Sequence, residues 1–181
     1  MSNAQAGNFA VNCQIPSATL GTITIRRGWA AVDAKIRGKS FRFISTHLDG
    51  DCLPATSAIQ QAQAAELLQG PAVTPLPVVL VGDLNSPANG TGVTYNRVIA
   101  AGFSDAAALA GIGATPTCCQ ADNLLNPVSL LDRRIDFVLF RGQFSVQEAL
   151  VVGNDPIVRT PSGLWPSDHA GVVSTLGLPH P

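Results

Sequence analysis

The sequence predicts a mixed α/β fold with more strand than helix. Its 181 residues fit one domain, and 46% of them are hydrophobic, which is enough to form a buried core. Short alternating or continuously apolar segments outnumber the helical patterns along the chain. Only 13% of the residues are charged, with 11 Lys and Arg against 12 Asp and Glu, so the basic excess of a dense nucleic-acid-binding surface is missing. No apolar run is long enough to cross a bilayer.

Seven segments have the pattern of strands. Residues 30–36 alternate between apolar and charged side chains, as expected for a half-buried strand. Residues 77–81 form a continuous apolar run, which is typical of a strand covered on both faces. The other predicted strands are residues 22–25, 40–48, 135–140, 146–152 and 171–176.

A first helix is predicted to begin near Ser57. The Ser57 side chain can cap it, with Gln60 three residues later as the partner in a capping box. Gly70 and Pro71 end this helix. Its predicted apolar stripe consists of Ala58, Ala62, Ala65 and Leu68.

A second helix is predicted over residues 93–101, and Gly102 ends it. Two long stretches rich in Pro, Gly and Asn remain irregular, residues 111–131 and 154–166. Functional residues commonly lie in such loops.

The four cysteines leave the redox state open. Cys13 and Cys52 can form a bridge, whereas Cys118 and Cys119 are adjacent and bridge only under strain. Unpaired buried thiols are therefore the favoured interpretation. No Cys has metal-ligand spacing from a His, which disfavours a structural zinc site.

Asp136 lies within an apolar strand, where an unpaired carboxylate would be costly. One of the three histidines can be its partner, because an Asp–His pair fixes the imidazole tautomer and stabilises the protonated ring. Pairing with Arg133 or Arg134 is the simpler alternative.

Asp83 and Asn85 follow the buried strand at positions i and i+2, so both side chains can point toward one ligand. A carboxylate suits Mg²⁺ or an activated water, and an amide can donate to a phosphoryl oxygen. An ordinary turn is the alternative, since these are common turn residues. Asp168 and His169 precede the last strand and reach one pocket only in a bent loop.

Together, four short segments in this order resemble the endonuclease/exonuclease/phosphatase superfamily, which has the DNase I-like fold. They are Thr46-His47-Leu48, Gly82-Asp83-Leu84-Asn85-Ser86, Arg134-Ile135-Asp136 and Ser167-Asp168-His169. The resemblance covers about residues 27–176. It implies an α+β-type fold, part of a four-layer α/β sandwich of mostly antiparallel sheets.

The resemblance also implies a phosphodiesterase, nuclease or phosphatase that uses Mg²⁺ or Mn²⁺. Asp83 then orients or deprotonates the attacking water, and Asn85 contacts the phosphate. His169, held by Asp136, stabilises the transition state or moves its proton. The implied substrate is a phosphoester in nucleic acid, a phospholipid head group or a small molecule.

Two further site residues follow from the same resemblance. His47 is a candidate acid or phosphate ligand, and Asp168 joins Asp83 at the metal. The family's primary metal ligands, an Asn and a Glu of the N-terminal half, have no counterpart here. The only two glutamates, Glu66 and Glu148, stand in other contexts.

We therefore expect residues 5–181 to be the C-terminal portion of such a hydrolase, after a cloning scar at residues 1–4. This portion is expected to be weakly active or inactive by itself, and to form a homodimer that buries an uncovered sheet face. A non-catalytic binding or scaffold module with a degenerate fold is the main alternative. A hydrolase whose nucleophile is Cys118 or Cys119, paired with His169, is a weaker one.

Overall fold

The computed structural model describes residues 1–50, 52 and 56–178. In chain order its elements are β1 (Ser2–Asn8), β2 (Cys13–Ser17), β3 (Gly21–Ile25), β4 (Gly28–Ile36), β5 (Lys39–His47), α1 (Thr56–Gln69), β6 (Val78–Asp83), α2 (Val93–Ala100), β7 (Ser104–Asp105), α3 (Ala106–Leu109), β8 (Asp136–Arg141), β9 (Ser145–Val152), a short 3-10 turn (Pro156–Val158) and β10 (Gly171–Gly177).

A six-stranded sheet in the order β1-β4-β5-β6-β8-β7 forms the centre of the fold. Strands β5 and β6 run parallel, and every other pair in this sheet is antiparallel. Two further antiparallel pairs, β9 with β10 and β2 with β3, complete the strands of the described residues. This confirms the predicted mixed α/β fold of mostly antiparallel sheets.

The two faces of the six-stranded sheet have different covers. Helices α1 and α2 lie on one face, where Leu67 and Val98 pack with fully buried strand residues such as Leu80. The small β9–β10 sheet lies on the other face, where Phe140 packs against Leu176. The central strand β6 is buried on both faces, as its apolar run predicts.

All seven predicted strands are present, with ends that differ by at most two residues. Three strands are missed, and each lacks a local signal. Strand β2 contains Pro16, which cannot donate to a ladder and is tolerated because β2 pairs only with β3. Strand β1 is made of small and polar residues. It includes residues predicted to be a cloning scar, and Ser2 among them is paired with Asp33 of β4. Strand β7 has two residues.

Helix α1 ends at Gln69, as Gly70 predicts, but the prediction of its buried face is wrong. Ala58 is exposed. The buried residues are Gln60, Gln63, Ala64 and Leu67. This stripe has helical spacing but includes two glutamines, because their amides bond to loop backbone: Gln63 donates to the Val11 carbonyl and accepts from the Asp49 amide. The capping-box role predicted for Gln60 is also wrong, because its Nε2 donates to the Asp49 carbonyl and the helix begins one residue before Ser57.

Helix α2 confirms the second predicted helix. Helix α3 is a missed single turn, capped by Asp105, whose carboxylate accepts from the amides of Ala107 and Ala108. Within the described ranges, no helix combines the length and the apolar character that a membrane crossing requires.

The expectation of unpaired thiols is wrong. Cys13 at the start of β2 is bonded to Cys52, with Cα atoms 5.4 Å apart, a normal separation for a disulfide. Folding brings the two together across a separation of 39 residues, which spacing alone cannot reveal. Cys118 and Cys119 are also paired, so none of the four cysteines is free.

Candidate active site

Three of the polar residues found in the sequence lie in one row across the central sheet. The register pairs His47 of β5 with Asp83 of β6, and Asp83 with Asp136 of β8. Neighbouring strands are about 4.8 Å apart, so paired residues at adjacent strand ends face one small space. We call His47, Asp83 and Asp136 the polar row.

The end of β6 and the turn that follows it fix the direction of the Asp83 carboxylate. Gly82 has φ +135°, and a side chain there would overlap the Thr46 carbonyl of β5, so only glycine fits. Asn85 has φ +49°, a conformation that asparagine tolerates. The backbone amide of Asn85 donates to Oδ1 of Asp83 at 2.6 Å. Leu84, between these two residues, is buried in the core.

The Asn85 side chain joins the two parallel strand ends. Its Nδ2 donates to the Leu48 carbonyl at 2.9 Å and lies 3.2 Å from Nε2 of His47. A side chain at Gly50, in the loop after β5, would overlap the side-chain amide of Asn85, so this position also favours glycine. Asn85 is thereby held beside the polar row.

Gln60 is a site residue that sequence analysis missed. Its Nε2 donates at 2.8 Å to the Asn85 carbonyl and at 2.8 Å to the Asp49 carbonyl. Through these two bonds, helix α1 connects the loop after β5 with the loop after β6. The available signal was a glutamine at a position that the helical period places on the buried face.

His169 completes the predicted Asp–His pair. Its Nδ1 lies 2.9 Å from Oδ2 of Asp136. The alternative with a neighbouring arginine is not formed, because Arg134 turns away and donates to Oδ2 of Asp105 at 2.7 Å. Donation from Nδ1 to the carboxylate leaves Nε2 of His169 as the reactive nitrogen.

A loop brings His169 to the sheet. The Ala170 amide donates to the Thr117 carbonyl at 2.8 Å, and the Gln120 amide donates to the Asp168 carbonyl at 2.8 Å. Thr117 also accepts, through Oγ1, from the amide of Asp136. The segment around Thr117 therefore holds both members of the Asp–His pair, although it lies in a stretch predicted only as irregular.

Asp168 is the one predicted site residue whose side chain has no described contact with the others. Its side chain is exposed and accepts from the Ser167 hydroxyl at 3.2 Å. Two groups of three potential ligands are found in the part of the chain that the structure describes, and Asp168 is in neither. The group at the polar row consists of Asp83, Asp136 and His169, with ligand atoms within 4.8 Å of one another.

Burial raises the pKa of Asp83 to about 6, and the nearby charge of Asp136 acts in the same direction. The hydrogen bond from Asn85 and the charges of His169 and Arg27 lower the pKa but do not offset the burial. A carboxylate with this pKa changes its protonation state just below neutral pH.

Arg27 brings positive charge to the His47 side of the site. Its Nη1 lies 3.0 Å from Nδ1 of His47. The His47 side chain is 48% exposed, and its Nε2 lies 3.4 Å from Oδ2 of Asp83. Buried carboxylates next to partly exposed basic groups can bind a metal cation and a phosphate side by side. Nothing in its local sequence distinguishes Arg27 from the preceding Arg26.

A sequence model of the endonuclease/exonuclease/phosphatase family matches residues 9–169. A comparison with curated proteins finds no match.

Solved structures of similar fold include three informative relatives. An endonuclease/exonuclease/phosphatase family protein from Leptotrichia buccalis has 18% identity and a TM-score of 0.65 over 97% of this chain and 61% of that one. D. rerio TDP2, complexed with single strand DNA product, has 18% identity and a TM-score of 0.68 over 97% and 67%. A Bacteroides thetaiotaomicron mannosyl-6-phosphatase has 19% identity and a TM-score of 0.64 over 96% and 66%. These matches confirm the DNase I-like fold, and the chain spans only about two thirds of their length.

Proposed function

The chain belongs to the endonuclease/exonuclease/phosphatase family, and on this premise we propose that it hydrolyses phosphoesters with the help of a divalent metal ion. The observation that carries the proposal is the cluster of Asp83, Asp136 and His169, with its ligand atoms within 4.8 Å. Phosphoryl transfer needs an aligned water, charge neutralisation and a proton donor, and this cluster contains groups suited to each.

Asp83 orients the attacking water and accepts its proton. A general base works best when its pKa lies near the operating pH, and without a bound metal burial raises the pKa of Asp83 to about 6. A cation bound to the same carboxylate would lower this pKa and keep Asp83 ionised. The backbone amide of Asn85 fixes Oδ1 of this carboxylate at 2.6 Å, and Oδ2, which lies 3.4 Å from Nε2 of His47, is the oxygen proposed to contact the water.

His169 donates a proton or hydrogen bond through Nε2 to the phosphoryl group. Asp136, 2.9 Å from Nδ1, stabilises the protonated imidazole that this role requires. Asn85 and His47 lie on the opposite side of Asp83 and contact the phosphate from there. Arg27, beside His47, adds positive charge for the same anion.

The two carboxylates of the site provide some, but not all, of the oxygen ligands that a hard cation needs. Asp83 and Asp136 would hold Mg²⁺ or Mn²⁺ through carboxylate oxygens, and the ion would supply neutralisation of the phosphoryl charge. The closeness of the two carboxylates supports this, because a cation would relieve the repulsion between Asp83 and Asp136. Such ions take about six oxygen ligands, more than two carboxylates provide.

We further propose that the remaining ligands come from chain outside these residues. The relatives are longer by about a third of their length. Weak activity of this chain alone is the expected result, and turnover at the rates of full-length family members would contradict it. Asp168, exposed and outside the cluster, is a further candidate to approach the ion when substrate is bound.

Hydrolysis is tested with one phosphodiester and one phosphomonoester, bis-p-nitrophenyl phosphate and p-nitrophenyl phosphate, in Mn²⁺ and in EDTA. The D. rerio relative carries a DNA product and the Bacteroides relative is a sugar phosphatase, so both ester classes are candidates. Asp83→Asn and His169→Gln are each expected to lower the Mn²⁺-dependent rate about 100-fold or more. Asp132→Asn, which changes an exposed carboxylate outside the proposed site, is the matched control and should keep the rate.

Metal binding separates the enzyme from a non-catalytic scaffold with the same fold. Calorimetric titration with Mn²⁺ should show weak binding to the wild-type chain, and Asp83→Asn should abolish it. Wild-type protein that binds no Mn²⁺ favours the scaffold and contradicts the proposed metal site.

Self-association of the chain is proposed from the incompletely covered sheet face. An apolar groove of about 410 Å³ runs there between the six-stranded sheet and β10. It includes Phe43, 37% exposed, and Val173, 47% exposed. We expect a second copy of the chain to cover this groove. Sedimentation at micromolar concentration should then show a dimer, and Phe43→Lys should weaken it. A purely monomeric profile contradicts it.

A further inference from the structure

A second cluster of ligand atoms lies directly beside the polar row. It consists of Cys118, Cys119 and His169, whose ligand atoms lie within 4.8 Å of one another. The Cys119 sulfur is 3.7 Å from Nε2 of His169. Cys118 is 1% exposed, so one of the sulfurs is almost fully withdrawn from water. The proposed hydrolysis uses neither cysteine.

This donor set differs in chemistry from the carboxylates of the polar row. Two thiolates and an imidazole are ligands for a soft or borderline cation such as Zn²⁺, whereas Mg²⁺ and Mn²⁺ prefer oxygen. Asp136 holds Nδ1 of His169 at 2.9 Å and thereby presents Nε2 as a neutral ligand. Such a carboxylate–histidine pair commonly supports zinc.

The charges around the cluster also balance. Nη2 of Arg133 lies 3.7 Å from the sulfur of Cys118 and 3.7 Å from that of Cys119. A guanidinium at this distance favours the thiolate forms. Two thiolates and the Asp136 carboxylate carry three negative charges, which Zn²⁺ and Arg133 together neutralise.

We propose that the reduced Cys118–Cys119 pair and His169 form a Zn²⁺ site, and that Zn²⁺ bound there inhibits hydrolysis by occupying Nε2 of His169. The inhibition rests on the proposed function, whereas the binding does not. Because the two cysteines are paired in the structure, binding requires prior reduction. A phosphine reductant supplies two electrons and becomes the phosphine oxide with an oxygen from water, and each sulfur takes up one proton. Zn²⁺ then displaces both thiol protons into solvent.

Cobalt spectroscopy tests the site independently of activity. Co²⁺ is added to phosphine-reduced protein, and sulfur ligation is recorded as a thiolate-to-cobalt charge-transfer band in the near ultraviolet. We expect the band in the wild-type chain and its displacement by one equivalent of Zn²⁺. Zn²⁺ should also protect the thiols of Cys118 and Cys119 from a thiol reagent, measured against the same reduced protein without Zn²⁺.

Variants assign the ligands. Cys119→Ser and Cys118→Ser should each remove the band, and His169→Ala should weaken Co²⁺ binding at least tenfold. Asp83→Asn is the matched control: it removes a carboxylate of the polar row and should keep the band. Circular dichroism of each variant checks the fold, and Cys119→Ser, the less buried replacement, carries the test if Cys118→Ser unfolds.

The outcomes separate the two proposals. Reduced wild-type protein without a sulfur band, or a band unchanged in both serine variants, overturns the zinc site. A band that Zn²⁺ displaces, with Mn²⁺-dependent hydrolysis lost at the same Zn²⁺ concentration, supports it. A band with unaffected hydrolysis overturns the inhibition. Absence of any hydrolysis contradicts the proposed function alone, because the cobalt spectrum is measured without substrate.

Discussion

Asp105 and Asp83 are both buried carboxylates, with 4% and 9% of their surface exposed, yet their surroundings are opposite. Asp105 accepts four hydrogen bonds. Its donors are the amides of Ala107 and Ala108, the Tyr95 hydroxyl and the Arg134 guanidinium, at 2.7–3.2 Å. Its charge is matched, and the same contacts cap helix α3 and anchor the loop before β8.

The negative charge of Asp83 is compensated by fewer hydrogen bonds and ion pairs than that of Asp105. Among the described contacts, it accepts one backbone bond from Asn85 and lies 3.4 Å from a His47 nitrogen. A second carboxylate, Asp136, faces it across the strand pair. The comparison teaches that satisfied buried charge stabilises this fold, whereas unsatisfied buried charge is concentrated where a ligand could complete it.

Removal of the cation beside Asp105 is expected to have the largest effect. Arg134→Met leaves the Asp105 charge buried, which should lower the free energy of unfolding by about 3–5 kcal/mol in a denaturant titration. The neighbouring Arg133 is 52% exposed, so Arg133→Met should cost about 1 kcal/mol or less. Equal losses in the two variants would show that Asp105 does not depend on its ion pair.

Asp83→Asn should act in the opposite direction and depend on pH. The folded-state pKa of Asp83 is raised to about 6, above its unfolded value, so the native protein binds more protons between about pH 4 and 6. Wild-type stability therefore falls as pH rises through this window. Above pH 6, without metal, the variant should be more stable by up to about 3 kcal/mol.

Urea unfolding at pH 4 and pH 7 in EDTA measures this difference, which should vanish at the lower pH. Asp105→Asn is the control carboxylate and should destabilise at both pH values, because it weakens a matched ion pair. A destabilising Asp83→Asn at pH 7 would mean that the Asp83 charge is compensated after all.

Mn²⁺ should stabilise the wild-type chain at pH 7 by supplying the charge that Asp83 lacks. At ten times the dissociation constant the gain is about 1.4 kcal/mol, read as a rise in the thermal midpoint. Asp83→Asn should show no such rise. A rise of equal size in both proteins would place the bound ion elsewhere.

An effect of similar size is expected when the support of Asn85 is removed. Gln60→Ala removes the bonds to the Asn85 and Asp49 carbonyls and should cost about 1–2 kcal/mol, together with part of the hydrolytic rate. The side chain of the next residue, Gln61, donates to the Ser57 hydroxyl, and this is its one side-chain bond among the described residues, so Gln61→Ala should be nearly neutral. Identical behaviour of the two variants would remove Gln60 from the site.

Local patterns predict the parts of this molecule that depend on nearby residues. Strand alternation and the ordered motifs identify β5, β6 and β8 and the residues at their ends, because side-chain direction follows from strand period. The Asp136–His169 pair was implied by the family resemblance, whereas the residues alone left Arg133 and Arg134 open as partners of Asp136.

Contacts between distant segments could not be predicted. Asp105 lies 29 residues from Arg134, and Cys119 lies 50 residues from His169. No local period records such pairings. Gln60 was misassigned for a related reason: its polarity suggested a helix cap, whereas its buried amide bonds to loops that only the folded chain brings near.

The proposed catalysis depends on strand register, because the polar row is formed by three paired strands. Since side chains alternate across a strand, a slip of β5 by one residue would send the His47 imidazole to the opposite face and separate it from Asp83. A chain that collapsed with shifted pairing would keep its β-sheet content and compactness while losing its chemistry. If the chain has the proposed activity, recovery of hydrolysis after refolding would report the fraction of molecules with the correct strand register. Circular dichroism and light scattering do not distinguish this register from a shifted one.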